Sequence, residues 1–223
     1  MPFNTVAKNG MLDAMDETGG AVSVTHIGVA TSALDPGKGT NHAGTEATGG
    51  SPAYARLSVV WGPAASELKS NTGALTIDVP AGTYAYFLLM NAATGNTSNY
   101  RGFIPFGGAS AIKGFFSVDT TLTNDQFRSV AHGLADGDRV ILYGAFAEAL
   151  PTGTGFTAGA LLFVVGSTAD TFKVSLTSGG AAIDLTATGG GEGYFQKVVP
   201  EVFAAQGQIT VAVGALVLDA SAF

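Results

Sequence analysis

Along most of this chain apolar and polar residues alternate with a period of two, the spacing of strands with one buried face. Leu57, Val59 and Trp61 alternate with Ser58 and Val60, and Leu75, Ile77 and Val79 with Thr76 and Asp78. Near the C-terminus Ile209, Val211 and Val213 alternate in the same way, followed by Leu216 and Leu218. Each run predicts a half-buried strand. Thr83–Asn91 contains Tyr84-Ala-Tyr-Phe-Leu-Leu-Met, which is nearly all apolar and predicts a central strand covered on both faces. Ala21–Ala30 and Tyr100–Phe106 complete a first set of strands. Pro63, the Pro80-Ala-Gly82 turn and Gly107-Gly108 punctuate it.

Helical spacing is confined to the start. Ala7, Met11, Ala14 and Met15 predict one modest apolar face on a helix over Thr5–Met15 with Asn4 as its cap. So short a helix needs a sheet or a neighbouring subunit to pack on. Residues 31–52 form a loop of ~20 residues, longer than the usual connection in a compact domain, which marks it as functional or held by contacts.

A second set of strands begins at Phe115-Phe116-Ser-Val-Asp and continues near Arg128–Val130, Arg139–Tyr143, Leu161–Val165, Phe172–Leu176 and Ala182–Leu185, with Tyr194 and Phe195 as its exit. The closing run Ile209–Leu218 cannot stand alone, so it returns most simply to the first sheet. The expected architecture is all-β. A jelly-roll-like β-sandwich platform, residues 1–113 plus 198–223, carries a short N-terminal helix, and a small β-barrel-like module, residues 114–197, is inserted in it.

Composition adds constraints on partners. The 223 residues are 46% hydrophobic and only 12% charged, with 32 glycines, as expected of a folded chain of short strands and tight turns. The formal charge of −7 and the scattered ten Lys and Arg disfavour nucleic acid as a partner. Cysteine is absent, which removes disulfides, thiolate metal sites and cysteine nucleophiles. No segment approaches the ~20 apolar residues of a membrane-spanning helix, and Met1–Asp16 lacks the pattern of a secretory signal.

Candidate chemistry is thin. The histidines, His26, His42 and His132, are far apart in sequence, and none has a second histidine at ligand spacing. His26 reads as a core or edge residue of a strand and His42 as a hydrated loop residue. His132-Gly-Leu-Ala-Asp-Gly-Asp138 places a histidine and two aspartates together. Without a partnered nucleophile, or the acidic ladder of a calcium loop, it reads as turn chemistry. Asp35-Pro-Gly-Lys-Gly-Thr40 has the wrong glycine spacing for a phosphate loop. Tyr84, Tyr86, Phe87, Tyr100, Phe103 and Phe106 are expected in the core, with Tyr100–Phe106 as the best candidate for an exposed binding face. No catalytic, cofactor-binding or metal-ligating residue is assigned, and no cofactor is expected.

Several segments carry a resemblance. The opening Met-Pro-Phe-Asn-Thr-Val-Ala-Lys-Asn-Gly-Met-Leu-Asp-Ala-Met, the Gly49-Gly-Ser-Pro-Ala-Tyr-Ala-Arg56 motif and Leu75–Val79 with its Pro80-Ala-Gly82 turn resemble tailed-bacteriophage tail fibre or minor tail proteins. His132-Gly-Leu-Ala-Asp-Gly-Asp-Arg-Val140, Phe163-Val-Val, Thr171-Phe-Lys-Val-Ser175 and Gly179-Gly-Ala-Ala resemble a small β-module found across phage structural proteins. After the Pro80-Ala-Gly82 turn the chain departs from the family's Thr-His-Val-Gly-Leu-Trp-like strand. The resemblance implies a non-enzymatic virion component that contacts other virion proteins and forms a homo-oligomer, a trimer being the expected state. A capsid-surface decoration protein and a host-surface glycan-binding module are the alternatives, and a glycan-degrading enzyme would need two converging carboxylates.

Overall fold

A computed structural model describes residues 4–15, 23–31, 44–96, 98–107, 112–144, 149–156 and 160–219. The described residues are nearly all β, 43% strand against 6% helix, so their backbone polar groups are satisfied chiefly between strands. It divides into two compact units. One takes the chain up to Thr31, then as far as Ile104, and again from Glu201 onward; the other includes Pro105–Pro200. Beside the expected bounds at 113/114 and 197/198, Lys113 pairs with Gln196 and Val198 pairs with Arg139, both within the second unit.

The first unit opens with α1 (Thr5–Asp13), where the Asn4 side chain accepts the Ala7 amide at 2.9 Å. The strands that follow are β1 (His26–Ala30), β2 (Leu57–Ser58), β3 (Leu68–Ser70), β4 (Leu75–Val79), β5 (Gly82–Tyr84), β6 (Tyr86–Met90) and β7 (Tyr100–Pro105). They build an antiparallel β2-β1-β6-β7 sheet in which β1 and β6 pair over five residues, from His26↔Met90 to Ala30↔Tyr86. β6 is central, as its apolar sequence requires. The single strand expected over Thr83–Asn91 is instead broken at Ala85, whose amide bonds to the Ala30 carbonyl at 3.0 Å. This frees β5 to pair elsewhere.

The packing of α1 also departs from expectation. The helix does not pack by an apolar face, since Ala7 and Met11 are exposed and the buried residues are Lys8 and Leu12. Lys8 reaches Glu67 at 3.2 Å, and Asp13 reaches the fully buried Lys69 at 2.8 Å, so polar bonds to the β3 segment dock it.

The second unit contains β8 (Lys113–Val118), β9 (Phe127–Arg128), β10 (Arg139–Gly144), β11 (Thr152–Gly153), β12 (Leu162–Val165), β13 (Thr171–Ser175), β14 (Leu185–Ala187) and β15 (Glu192–Val198). Six of these close into a barrel in the order β10-β12-β13-β9-β8-β15, while β11 and β14 form a separate ladder. Inward positions alternate along each strand: Phe116 and Val118, Val140 and Leu142, Leu162 and Val164, Phe172 and Val174. At the centre Phe116, Phe127, Phe172 and Phe195 pack in succession with ring centroids 5.1–5.4 Å apart, Phe127 and Phe172 stacked and the other two pairs edge-on.

The chain then returns to the first unit through β16 (Glu201–Phe203), β17 (Gly207–Val211) and β18 (Val217–Asp219). These do not extend the four-stranded sheet, as the simplest reading expected. They form separate ladders with β5, β4 and β3, the longest being β17 on β4 over five residues. Apolar alternation on both strands explains the choice, since Ile77 and Val79 are buried beside Ile209 and Val211.

Candidate functional site

The polar group with the most ordered geometry was not singled out as a site by sequence reading. Glu46 and Arg56 face each other as fork on fork: Nε donates to Oε1 at 2.7 Å and Nη2 to Oε2 at 2.6 Å. The remaining nitrogen, Nη1, donates to the carbonyls of Gly95 at 2.7 Å and Ala92 at 3.1 Å. Tyr54 completes the cluster, donating its hydroxyl to Glu46 Oε1 at 2.8 Å and accepting the Val29 amide at 3.0 Å. Burial, then the neighbouring Glu46 charge, pushes the phenol pKa far above its ordinary value.

Gly28 makes room for this cluster. A Cβ there would lie 2.7 Å from the Tyr54 hydroxyl and 2.8 Å from Glu46 Oε1. The loop between Glu46 and Tyr54 is held from its other side by Gln206, whose amide accepts from Ser51 N and donates to Pro52 O, both at 3.2 Å. Gly49 and Gly50 adopt positive φ, +81° and +94°, which the turn requires. The Gly49–Arg56 motif therefore works as a clamp that fixes one loop to β1 and to the 92–95 turn. A concavity of about 310 Å³ lies against it, lined by Glu46, Thr48, Tyr54, Arg56 and Thr94. Chemically it is closed, because both Glu46 oxygens already accept from Arg56 and one also from Tyr54.

His132 is 5% exposed inside the barrel unit. Its Nδ1 accepts the Leu134 amide at 2.9 Å, so the neutral ring carries its proton on Nε2, directed at the Thr171 carbonyl 3.2 Å away. Asp136 accepts the Ser167 amide at 2.7 Å, and that bond holds its carboxyl below the usual range. Asp138 accepts the Ala135 amide at 3.0 Å and pairs with Lys197 at 2.7 Å. The histidine and both aspartates of the stretch are committed to hydrogen bonds, those of His132 and Asp138 within the turn and that of Asp136 to the Ser167 amide.

His26 lies in β1, where Nδ1 meets the Thr25 hydroxyl at 2.9 Å; partial burial and the Arg56 charge lower its pKa. His42 and Asp35–Thr40 lie outside the described residues. Among the described residues no three His, Asp or Glu side chains gather as a metal site would need. Tyr84, Tyr86, Tyr100 and Phe106 are buried and Phe103 packs edge-on against Tyr86 at 5.6 Å, so Tyr100–Phe106 is not an exposed stacking face. Among the described residues the most exposed aromatics are Phe115 and Tyr194, 43% and 44% exposed, directly opposite on β8 and β15 with centroids 5.4 Å apart. Outward alternation on the two strands was a signal for them, but only the pairing brings them together.

Comparison of the chain with protein-family models, curated proteins and solved structures returns no match.

Proposed function

We propose that this chain is a non-enzymatic structural component of a tailed-phage virion, a minor tail or tail-fibre protein that self-associates, as a trimer, and contacts other virion proteins. The observation that carries the reading is the Glu46–Tyr54–Arg56 clamp. Two of its three residues, Tyr54 and Arg56, lie in the Gly49–Arg56 motif on which the resemblance rests, and it spends a largely buried ion pair on holding a loop. The second resembling stretch, His132–Val140, likewise commits its histidine and both aspartates to backbone amides, two within its own turn and one at Ser167. A rigid building block needs loops fixed in this way. Exposed Val60, Val202 and Val213, each more than 60% accessible, supply apolar surface for contacts between subunits.

Electron cryomicroscopy of the particle tests the reading. Density for the chain in the tail or its fibres is the expected result. Density on the head lattice would replace it with the decoration-protein reading, and absence from purified particles would overturn both. A second reading, host-glycan binding, is favoured by the Phe115–Tyr194 pair, since a sugar ring stacks on exposed aromatic faces. A glycan array on which binding disappears in Phe115→Ala would establish it.

A further inference from the structure

The barrel is closed, yet one of its seams is short. β8 pairs with β15 over five residues, Lys113 to Ser117, and bonds at both ends extend the ladder: Val118 N to Gly191 O and Lys197 N to Ile112 O, each 2.7 Å. Those end bonds fix the alternation of the antiparallel ladder. Residues 112, 114, 116 and 118 direct their backbone groups to β15, and residues 113, 115 and 117 direct theirs to the other side. The Asp119 amide bonds to Gln126 O at 2.9 Å, on that other side, in agreement.

There β9 accompanies β8 only at Ser117↔Arg128 and Val118↔Phe127. Past Arg128 the chain leaves. Ser129 N bonds to Asp170 O at 2.9 Å, Ala131 N bonds to the Asp170 carboxylate at 3.0 Å, and Ala131 takes a φ of +52°. The N–H and C=O of Phe115 consequently face an opening of about 560 Å³ between β8 and the 129–132 turn. Its floor is the Phe195 ring, kept there by Gly114, at which a Cβ would lie 2.8 Å from the ring carbons. Phe115 and Val130, 43% and 84% exposed, stand on either side.

We infer that this seam is a docking site for an extended segment of another polypeptide, which adds a short strand to the outer edge of β8 beside Phe115. A backbone N–H and C=O presented together on the outer edge of a strand are the groups that an added strand pairs with. Alternate side chains of that segment would enter over Phe195 and lie against Val130. Among the described residues lining the opening Lys113 is the charged one, in a chain of net charge −7, so the fitting segment alternates apolar residues with neutral or acidic ones. The inference stands on the barrel's ladder and does not depend on the virion reading.

Amide hydrogen exchange on the full chain, resolved by NMR, tests it with the probe acetyl-Thr-Val-Asp-Val-Thr-amide. In the free protein the Phe115 amide is expected to exchange at least roughly a hundredfold faster than that of Phe116. Millimolar peptide should slow it roughly tenfold, and the same peptide methylated at each backbone nitrogen should not. Val130→Asp, at a position exposed enough to leave folding intact, should weaken the effect. A Phe115 amide already protected in the free chain would overturn the inference. So would equal effects of the two peptides, no effect of either, or protection by maltohexaose in place of the peptide.

Discussion

The Nδ1 atom of His132 accepts the amide of Leu134 at 2.9 Å, closing the turn that delivers the chain into β10. The same ring packs edge-on against Phe172 at 5.2 Å, so one side chain both satisfies the turn and fills the end of the core. His132→Ala should therefore cost the barrel unit about 3 kcal/mol, from a cavity together with unpaired backbone groups. His132→Asn keeps an acceptor within reach of the Leu134 amide and should recover about 1 kcal/mol of that loss. Urea unfolding of both variants, followed through barrel resonances, measures the difference. Equal destabilisation would mean that packing alone holds the turn.

Gly28 and Tyr54 provide a separable test of the clamp. Gly28→Ala forces a methyl group against the Tyr54 hydroxyl and should destabilise the first unit by about 2 kcal/mol. In a Tyr54→Phe background one of the two obstructing oxygens is gone and Glu46 Oε1 remains, so the same substitution should cost less, with a coupling of about 1 kcal/mol in the double-mutant cycle. Arg56→Lys keeps the charge but loses the fork that meets Glu46 and two carbonyls together. It should cost about 3 kcal/mol, the scale of breaking a buried pair.

Acidification should unfasten α1 before it unfolds the ladders. Bonds from Lys69 and the Ala64 amide lower the Asp13 pKa, and bonds from Thr5 and Lys8 lower that of Glu67, with Asp219 opposing the latter. A depressed carboxylate contributes stability above its unfolded pKa, about 4 for both residues, and that stability is lost as pH falls through the lower folded value. Amide protection in α1 should accordingly fade below about pH 4 while that of β4 and β17 persists. Glu67→Gln should flatten this dependence. Protection in α1 unchanged down to the point of global unfolding would refute it.

Period-two alternation was enough to locate β4 and β17, because each buries one face against the other. It could not reveal β3, β11 or β16, whose two or three residues carry no period. Nor could it show the break at Ala85, a residue that fits a strand and is diverted only by its bond to Ala30. The helix face was misjudged for a different reason. Lys8 and Asp13 look solvent-facing until Glu67 and Lys69, more than fifty residues away, arrive to pair with them. The clamp was half legible: Tyr54 and Arg56 stood out in a motif, but Glu46 carried no local sign of being their partner. The turn of His132–Asp138 was legible through its local bonds, His132 to Leu134 and Asp138 to Ala135, while its bonds to Thr171, Ser167 and Lys197 had no local sign.

Asn71 should prove the residue on which the return of the chain depends. It is 1% exposed, and its side-chain amide donates to the carbonyls of Gly73 at 2.7 Å and Ala212 at 3.0 Å while Oδ1 accepts the Leu216 amide at 2.9 Å. Its backbone adds bonds to Leu216 and Gly214, so one buried side chain ties the turn between β17 and β18 to the start of the β3–β4 connection. Asn71→Asp preserves the shape but turns a donor into an oxygen facing two carbonyls, which should cost about 3 kcal/mol or more and exceed the effect of Asn71→Ala. The loss should appear first as faster amide exchange in β17 and β18, with the barrel strands unaffected. If the two substitutions are equivalent, the donor bonds to Gly73 and Ala212 contribute little, and the apolar faces of β4 and β17 hold the return strand unaided.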